Sequence, residues 1–538
     1  LGKAFSKVIG AHCGSFVARR LSAAIAIDES VVTHLTLRLG SVTNSSVRLL
    51  FADQLGPHFD DGGQILIPEV LSPLRARRYH RQKAHLILSA LRHRAQELGG
   101  RAELVRGDSY HEVLAGRGLS VVNPTSRGLR SLVADLGKTA DVEVLAARGF
   151  AATEAEFADW SKTQGSKRLL MENFYRDRRV KTGVLMNTTT TGELAPEGGK
   201  FNFDHENRQP PPKGQLTLGV ASAWFPVEDE IDQEVRLYLD QLEADGTVSF
   251  IGNDGPRLFP ATRQEALLAL DNFVSNRLAT FGAHEDAAMK QDWAMSHSLL
   301  SPAMNLGLLD PMEVVQAAER AYRAGGIELA SAEGFIRQVM GWRDWVWHLY
   351  WHLGDRFDTA NYFQHEKPLP EAFQELDPEL LKSSCLQQVI GEIRDRGWTH
   401  HINRLMVLGS FGVQRELSPQ ALNDWFIDAF VDGTPWVMPA NVIGMSQYAD
   451  GGLTATKPYT SGGAYVNKMT DYCKGCQFSP TVRVGEKACH FSAGYWNFLD
   501  KNKDLLKGNY RMAQPIAGLG RLGDLAEIRS QEADRNQF

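Results

Sequence analysis

A chain of 538 residues is too long for one hydrophobic core, so at least two domains are expected. Hydrophobic content of 43%, charge of 23% and a net charge of −6 are ordinary for a globular protein and confine any nucleic-acid contact to a local basic groove. The absence of any run of about 18 apolar residues argues against a transmembrane helix, and five cysteines in so long a chain argue against a disulfide-stapled secreted framework.

Residues 1–46 are rich in Ser, Ala and Arg and carry only Asp28 and Glu29 as acids. This composition fits either an organellar transit peptide or a disordered extension. The expected compartment is intracellular, organellar on the first reading and cytoplasmic on the second. Cys13 belongs to this segment and is left out of any site. At "VRLLFADQL" the pattern changes. That stretch, "QILIPEV", "RAELVRG", "LSVVNP" and "DVEVLAA" read as short strands, with helical segments such as "RQKAHLILSALRHRAQEL" between them. Such alternation predicts an α/β domain with a parallel, Rossmann-like sheet over 47–165. The one G-x-G-x-x-G match, "GLGRLG" from Gly518 to Gly523, has no strand before it and reads as a loop.

"MNTTTTGELAPEGGKFNFDHENRQPPPKGQ" is rich in Pro, Gly and Thr, and 166–228 is expected to be an interdomain linker. From 229 to 538 the chain reads as a large all-helical domain. "EVRLYLDQLEA", "RQEALLALDNFVSNRLATF", "PMEVVQAAERAYRA" and "AEGFIRQVMGWRDWVWHLYWHL" space apolar residues at three and four.

Four features carry chemistry. Cys473, Cys476 and Cys489 crowd one stretch, and Cys385 is the remaining soft ligand. Their spacing suits a 4Fe–4S cluster at least as well as structural zinc and does not decide between them. Trp342, Trp345, Trp347, Trp351, Trp398 and Trp425 form either an aromatic core or an electron path. "SHSLLSP" around Ser301 is either a phosphate-binding turn or an ordinary helix start. His400 and His401 either cap a helix or present a proton donor to a cavity.

Taken in order, "LLMENFYRDRRVKTGVLM", "GKFNFDHENRQP", "SHSLLS", "EGFIRQVMGWRDW", "HHINRLM", "ANVIGMSQYADGG", "TKPYTSGGAYVNKMTDYC" and "ACHFSAGYW" resemble the photolyase/cryptochrome family, in its iron–sulfur bacterial branch of (6-4) photolyases and cryptochromes. The resemblance spans about residues 47 to 515 and implies an α/β antenna domain and a helical FAD-binding domain. It implies a 4Fe–4S cluster on Cys385, Cys473, Cys476 and Cys489. It places His297, Ser298, Leu300 and Ser301 at the FAD diphosphate. Glu333, Arg337, Trp342 and Arg343 fall on the helix lining the flavin, with Asn403, Arg404, Asp432, Asn441 and Met445 around the adenine and isoalloxazine. His400 and His401 match the pair over the lesion pocket. Tyr459, Tyr465 and Lys167 match lesion contacts, and Trp425 an electron donor. The implied function is light-driven repair of (6-4) photoproducts in UV-damaged DNA by a monomer, without membrane attachment. The alternative is a cryptochrome blue-light photoreceptor with the same cofactors and no repair.

The chain departs from that pattern at four places. "LPEAFQELDPELLKSSC" lacks the Trp that relatives carry before the first cluster cysteine. "PWVMPAN" has Met438 where relatives have an acid near the flavin. "EVLSP" keeps Glu69 but has Pro73 where relatives have the Glu that binds a 6,7-dimethyl-8-ribityllumazine antenna. Cys489 is followed by His490 in place of Pro.

Overall fold

Five short strands, β1 (Val47–Leu49), β2 (Ile65–Val70), β3 (Ala102–Gly107), β4 (Leu119–Val122) and β5 (Val142–Leu145), pair in parallel in the order β3-β2-β1-β4-β5. Leu49 lies opposite Leu66 on one side and Val121 on the other. β2 and β4 are buried along their whole length, and β3 and β5, at the edges, are only partly covered. That is the burial expected of a parallel sheet packed on both faces. The expected α/β domain is therefore present, with its strand order reversing between β1 and β4. The computed structural model describes residues 46–166 and 168–538. The N-terminal extension, Cys13 within it, and Lys167 lie outside the described residues.

The span expected as a linker is more structured than its composition suggests. It holds a helix, Met171–Thr182, and an antiparallel hairpin of β6 (Met186–Thr188) and β7 (Leu194–Pro196). The helix buries Met171, Phe174, Tyr175, Arg178 and Arg179. Two of those five are arginines, so apolar periodicity alone does not reveal its inner face.

Beyond residue 229 the chain is helical. Helices include Glu230–Ala244, Arg263–Asn276, Pro311–Arg323, Leu329–Ile336, Asp344–Leu353, Ser384–Arg396, Pro419–Ala429 and His490–Leu506. At the start of Arg263–Asn276, Thr262 and Glu265 form a reciprocal capping box. Among the described residues no helix is long and apolar enough to cross a membrane.

Sheet and helices form one compact unit from Ser46 to Phe538. Asp344, 1% exposed, accepts from the amides of Ala151 and Ala152. Phe150 stacks on Trp347 at 3.8 Å. The helix Arg81–Leu98 reaches furthest across. His80 bonds the Arg394 carbonyl at 3.1 Å, and the buried Lys83 ammonium donates to the carbonyls of Ile427 (2.5 Å) and Gly433 (2.6 Å).

Burial pulls Lys83 down to about 7. Between that value and the ordinary lysine range the unfolded chain holds a proton that the folded chain has released, so this residue's contribution to stability rises with pH across that window. Lys83→Met leaves two buried carbonyls unpaired and is expected to cost about 1–3 kcal/mol. In urea unfolding from pH 7 to 10 the wild type should gain stability relative to this variant. A difference that stays flat with pH would show that Lys83 does not titrate there.

Candidate functional site

Three segments of the helical region are wound as π-helices: Arg337–Arg343, Asn403–Gly409 and Pro439–Ser446. Each widened turn carries residues that the sequence assigns to a flavin: Arg337, Trp342 and Arg343; Asn403 and Arg404; Asn441 and Met445. A π-turn inserts a residue into the ladder and recurs at functional sites.

The structure joins several of these groups directly. Asp432, 6% exposed, accepts from both Arg404 nitrogens (2.8 and 3.2 Å) and from the Ser301 hydroxyl (2.7 Å). Ser301 is the first residue of the short helix Ser301–Asn305, not its cap, so its hydroxyl is free for this bond. Asn403 donates to Thr399 and to the Tyr472 hydroxyl, both at 2.9 Å. Glu333, fully buried, accepts from the Phe203 amide and from Arg337. Leu300 and Met445 are buried nearby in sequence, and Asn441 bonds the Val437 carbonyl. Ser298 accepts only a long bond from the Leu300 amide. Arg343 engages the α/β side instead. It donates to the Gly149 and Met304 carbonyls, with its guanidinium over Phe150 and Trp436.

The two histidines occupy different environments. His400 is buried, and its ring stacks on His297 with centroids 3.4 Å apart. Burial, then the neighbouring His297, holds it neutral well below the usual imidazole range. His401 is exposed, and desolvation by the surrounding protein followed by Arg404 lowers its imidazole to about 4. Tyr459 and Tyr465 are partly buried, their hydroxyls pushed up by burial. Arg208 acts electrostatically on both, and Arg511 on Tyr459 and on Lys457. Sequence reasoning missed these three cations, although "HENRQP" and "TKPYTSGG" contain two of them.

Buried polar atoms test whether a flavin nucleotide fits. His297 Nε2, Asn403 Oδ1 and Arg277 Nε have no hydrogen-bond partner. Unpaired buried groups of this kind call for a polar ligand, and FAD offers donors and acceptors to all three. The residues fit the group.

Cys385, Cys473, Cys476 and Cys489 line one small cavity with Val466, Phe478 and Phe491. Cys385 opens the Ser384–Arg396 helix, Cys489 caps His490–Leu506, and Cys473 and Cys476 share a turn. Gly463 is required here, because a Cβ would lie 2.8 Å from the Cys489 sulfur. Burial and mutual repulsion raise the Cys385 thiol well above its ordinary value and Cys473 to about 12. Four sulfurs gathered around one cavity offer a soft ligand set to a metal group. One tetrahedral ion with metal–sulfur bonds of about 2.3 Å would bring the sulfurs to about 3.8 Å of one another. Among the described residues the only three ligand-type side chains converging within 4.8 Å are His93, Asp229 and Asp232, and Asp232 already pairs with Arg257. No three of the four cysteine sulfurs lie within 4.8 Å of one another.

Trp345 and Trp347 belong to the aromatic core. Trp425 lies apart from them, its ring 5.3 Å from Phe373 and its Nε1 donating to the Phe373 carbonyl. In the sheet, Glu69 is 3% exposed and pairs bidentately with Arg92 and again with Arg106.

Comparison with known proteins adds the following. The family model described as deoxyribodipyrimidine photo-lyase-related protein matches residues 48–247. The chain is 37% identical over 505 residues to a protein named (6-4) photolyase from Agrobacterium fabrum, covering 89% of this chain and 96% of that one. A cryptochrome from Synechocystis superposes with a TM-score of 0.53 at 12% identity, over 88% of this chain and 98% of that one, and shares the fold. A class III photolyase from Agrobacterium tumefaciens aligns with a TM-score of 0.49 at 17% identity, over 78% of this chain and 82% of that one.

Asp432→Asn removes the countercharge of Arg404 and is expected to destabilise the protein by about 3 kcal/mol, because the partner stays buried and unpaired. Denaturant unfolding checks this. A loss below 1 kcal/mol, on the order of an exposed pair, would mean that solvent reaches the pair freely.

Proposed function

The chain belongs to the photolyase and cryptochrome family, and from that premise we propose that it is a light-driven (6-4) photolyase acting on UV-damaged DNA as a monomer. Residues 47–165 form the antenna domain, 166–228 the connection, and 229–538 the FAD-binding domain. The observation that carries this reading is the convergence of Ser301 and Arg404 on Asp432, among π-helical segments rich in polar groups, with His401 exposed just before one of them.

A lesion inside a duplex is out of reach and must be flipped into a pocket. Arg208, Lys457 and Arg511 supply positive charge for the strand's phosphates, and Tyr459 and Tyr465 supply aromatic faces for the extruded bases. Lys167 is assigned to the same lesion contact. Family members bind FAD. When bound and reduced, FAD supplies the light-driven electron. His297, Ser298, Leu300, Ser301, Asn403, Arg404, Asp432, Asn441 and Met445 would hold it, with Glu333, Arg337 and Trp342 on the lining helix. Its proton must come from the chain, and His401 is the group placed to donate. In the free protein His401 is neutral near pH 7, but DNA phosphates favour its charged form and raise its pKa on binding. Repair is therefore expected to slow as pH rises through that raised value.

The four cysteines hold a 4Fe–4S cluster. Glu69 is spent on two arginines and Pro73 replaces the second acid, so the antenna site is impaired for ribityllumazine. Protein purified without oxygen is expected to contain iron and acid-labile sulfide, to release FAD on heating, and to release no stoichiometric lumazine. Cys473→Ala should lose iron and soluble expression together. Zinc without iron would sink the cluster assignment, and recovered lumazine the antenna one.

The decisive assay is blue light on the reduced protein with a (6-4)-containing oligonucleotide, scored for restored thymines. His401→Ala should keep flavin content and lesion affinity within about twofold and lose at least about 100-fold in repair. His400→Ala should lose flavin as well, because His400 packs against His297 in the nucleotide turn. Repair by His401→Ala at the wild-type rate would place the proton donor elsewhere. A second reading, a cryptochrome photoreceptor, is favoured by Phe373 against Trp425 where relatives carry Trp nearby, and by Met438, 3% exposed, in place of an acid. Wild-type protein that photoreduces its flavin and repairs nothing would select it.

A further inference from the structure

Arg277 is 1% exposed, and among the described residues it pairs with no carboxylate. One guanidinium nitrogen donates to the His297 carbonyl, and its Nε has no partner. Asp292 is the one acid that attracts it from a distance, and both Asp292 oxygens are taken by backbone amides, those of Leu218 and Met295. Burying a cation without its counterion destabilises a fold. Burial indeed draws Arg277 down to about 10.

Its surroundings point the same way. The positive field of Arg277 is felt at the His297 ring, whose Nε2 is also buried and unpaired. The turn that Arg277 grips contains two non-glycine residues in the left-handed region, Met295 at φ 40° and Leu299 at φ 57°. Strain of this sort persists where a ligand clamp over-determines the backbone. A cation, a neutral donor and a strained turn, all short of a partner at one place, describe the missing piece as an anion.

We infer that Arg277 is the countercharge of a diphosphate, binding the pyrophosphate of FAD and fixing the His297–Ser301 turn that receives it. The inference rests on the FAD-binding reading above and adds a residue to it. Arg277 is a positioning residue: it touches the nucleotide's phosphates or the turn holding them, and takes no part in electron or proton transfer.

The experiment uses full-length protein stripped of flavin and titrated separately with FAD, ADP and riboflavin. Arg277→Gln is expected to weaken FAD and ADP by about tenfold or more and to leave riboflavin within about twofold. Arg277→Lys should restore much of the loss. Melting gives a second, independent readout. Removing an unpaired buried charge should leave the apoprotein's Tm unchanged or raised, while the FAD-loaded Tm falls. Equal loss of FAD and riboflavin would mean that Arg277 merely props the pocket, and would overturn the inference. An unchanged FAD affinity, or an insoluble Arg277→Gln, would overturn it as well. Wild-type protein that binds no FAD would overturn the functional reading itself, an outcome separable from the others because it needs no variant.

Discussion

The loop from Phe430 to Thr434 is the knot on which the candidate site hangs. Its Asp432 carboxylate holds Arg404 and Ser301, and the Asp432 carbonyl takes a bond from Asn305. Its Gly433 carbonyl is taken by Lys83, which comes from the α/β side. Val431 pairs with Gly397 at the end of the helix before the histidines. Gly433 has no room for a side chain, since a Cβ would strike the carbonyls of Phe426, Ile427 and Phe430. One loop thus sets the register among a helix of the sheet layer, the nucleotide turn and a π-helix. A buried ion pair contributes little net stability. What it imposes is geometry, because any arrangement that parts Arg404 from Asp432 strands both charges.

A second set of bonds joins the flavin-facing side to the cysteine cavity. Asn403 donates to the Tyr472 hydroxyl, and Tyr472 adjoins Cys473. Asn403 also donates to Thr399, which in turn donates to the buried Glu392 in the helix that Cys385 opens. Two of the three cysteine-bearing segments therefore lean on the π-helix that carries Asn403 and Arg404. A group bound to the cysteines fixes distant stretches of chain to one another, and these hydrogen bonds pass that constraint to the nucleotide side. Phe373 and Trp425 belong to the same apolar cluster as Cys385 and Cys489.

Much of the fold was legible. The five strands and the main helices stand where periodicity and caps put them, because local burial patterns dictate both. The Met171–Thr182 helix was hidden because Arg178 and Arg179 are buried by pairing with Asp177 and backbone carbonyls, not by hydrophobicity. The π-turns were hidden for another reason. They arise from tertiary packing, and "RQVMGWR" or "NRLMVLG" would suit an α-helix equally well. Motif resemblance found the residues that meet at Asp432, but it set His400 and His401 side by side as equals. Only coordinates separate a buried ring stacked on His297 from one exposed to water. Arg277 was invisible for the same reason: an arginine in a helical sequence pattern reads as surface until its place between two helices, its burial and its missing partner are seen.

The departures from the family pattern bear unequally on function. On the family resemblance, the missing Trp and Met438 bear on how electrons would reach a flavin and how its protonation would be tuned. Repair needs something narrower: a reduced flavin at the moment of excitation, a pocket for the extruded lesion, and a proton donor within it. The first depends on the redox supply of the surroundings as much as on a tryptophan path, so a slower path limits how often the cofactor is refilled, not whether a refilled one can act. The second and third depend on Tyr459, Tyr465, the three nearby cations and His401, and all of these are present. A photoreceptor that had abandoned repair would be under no physical need to keep an exposed imidazole, two tyrosines and three cations together. The retention of that whole set is the stronger argument, and it falls on the side of repair.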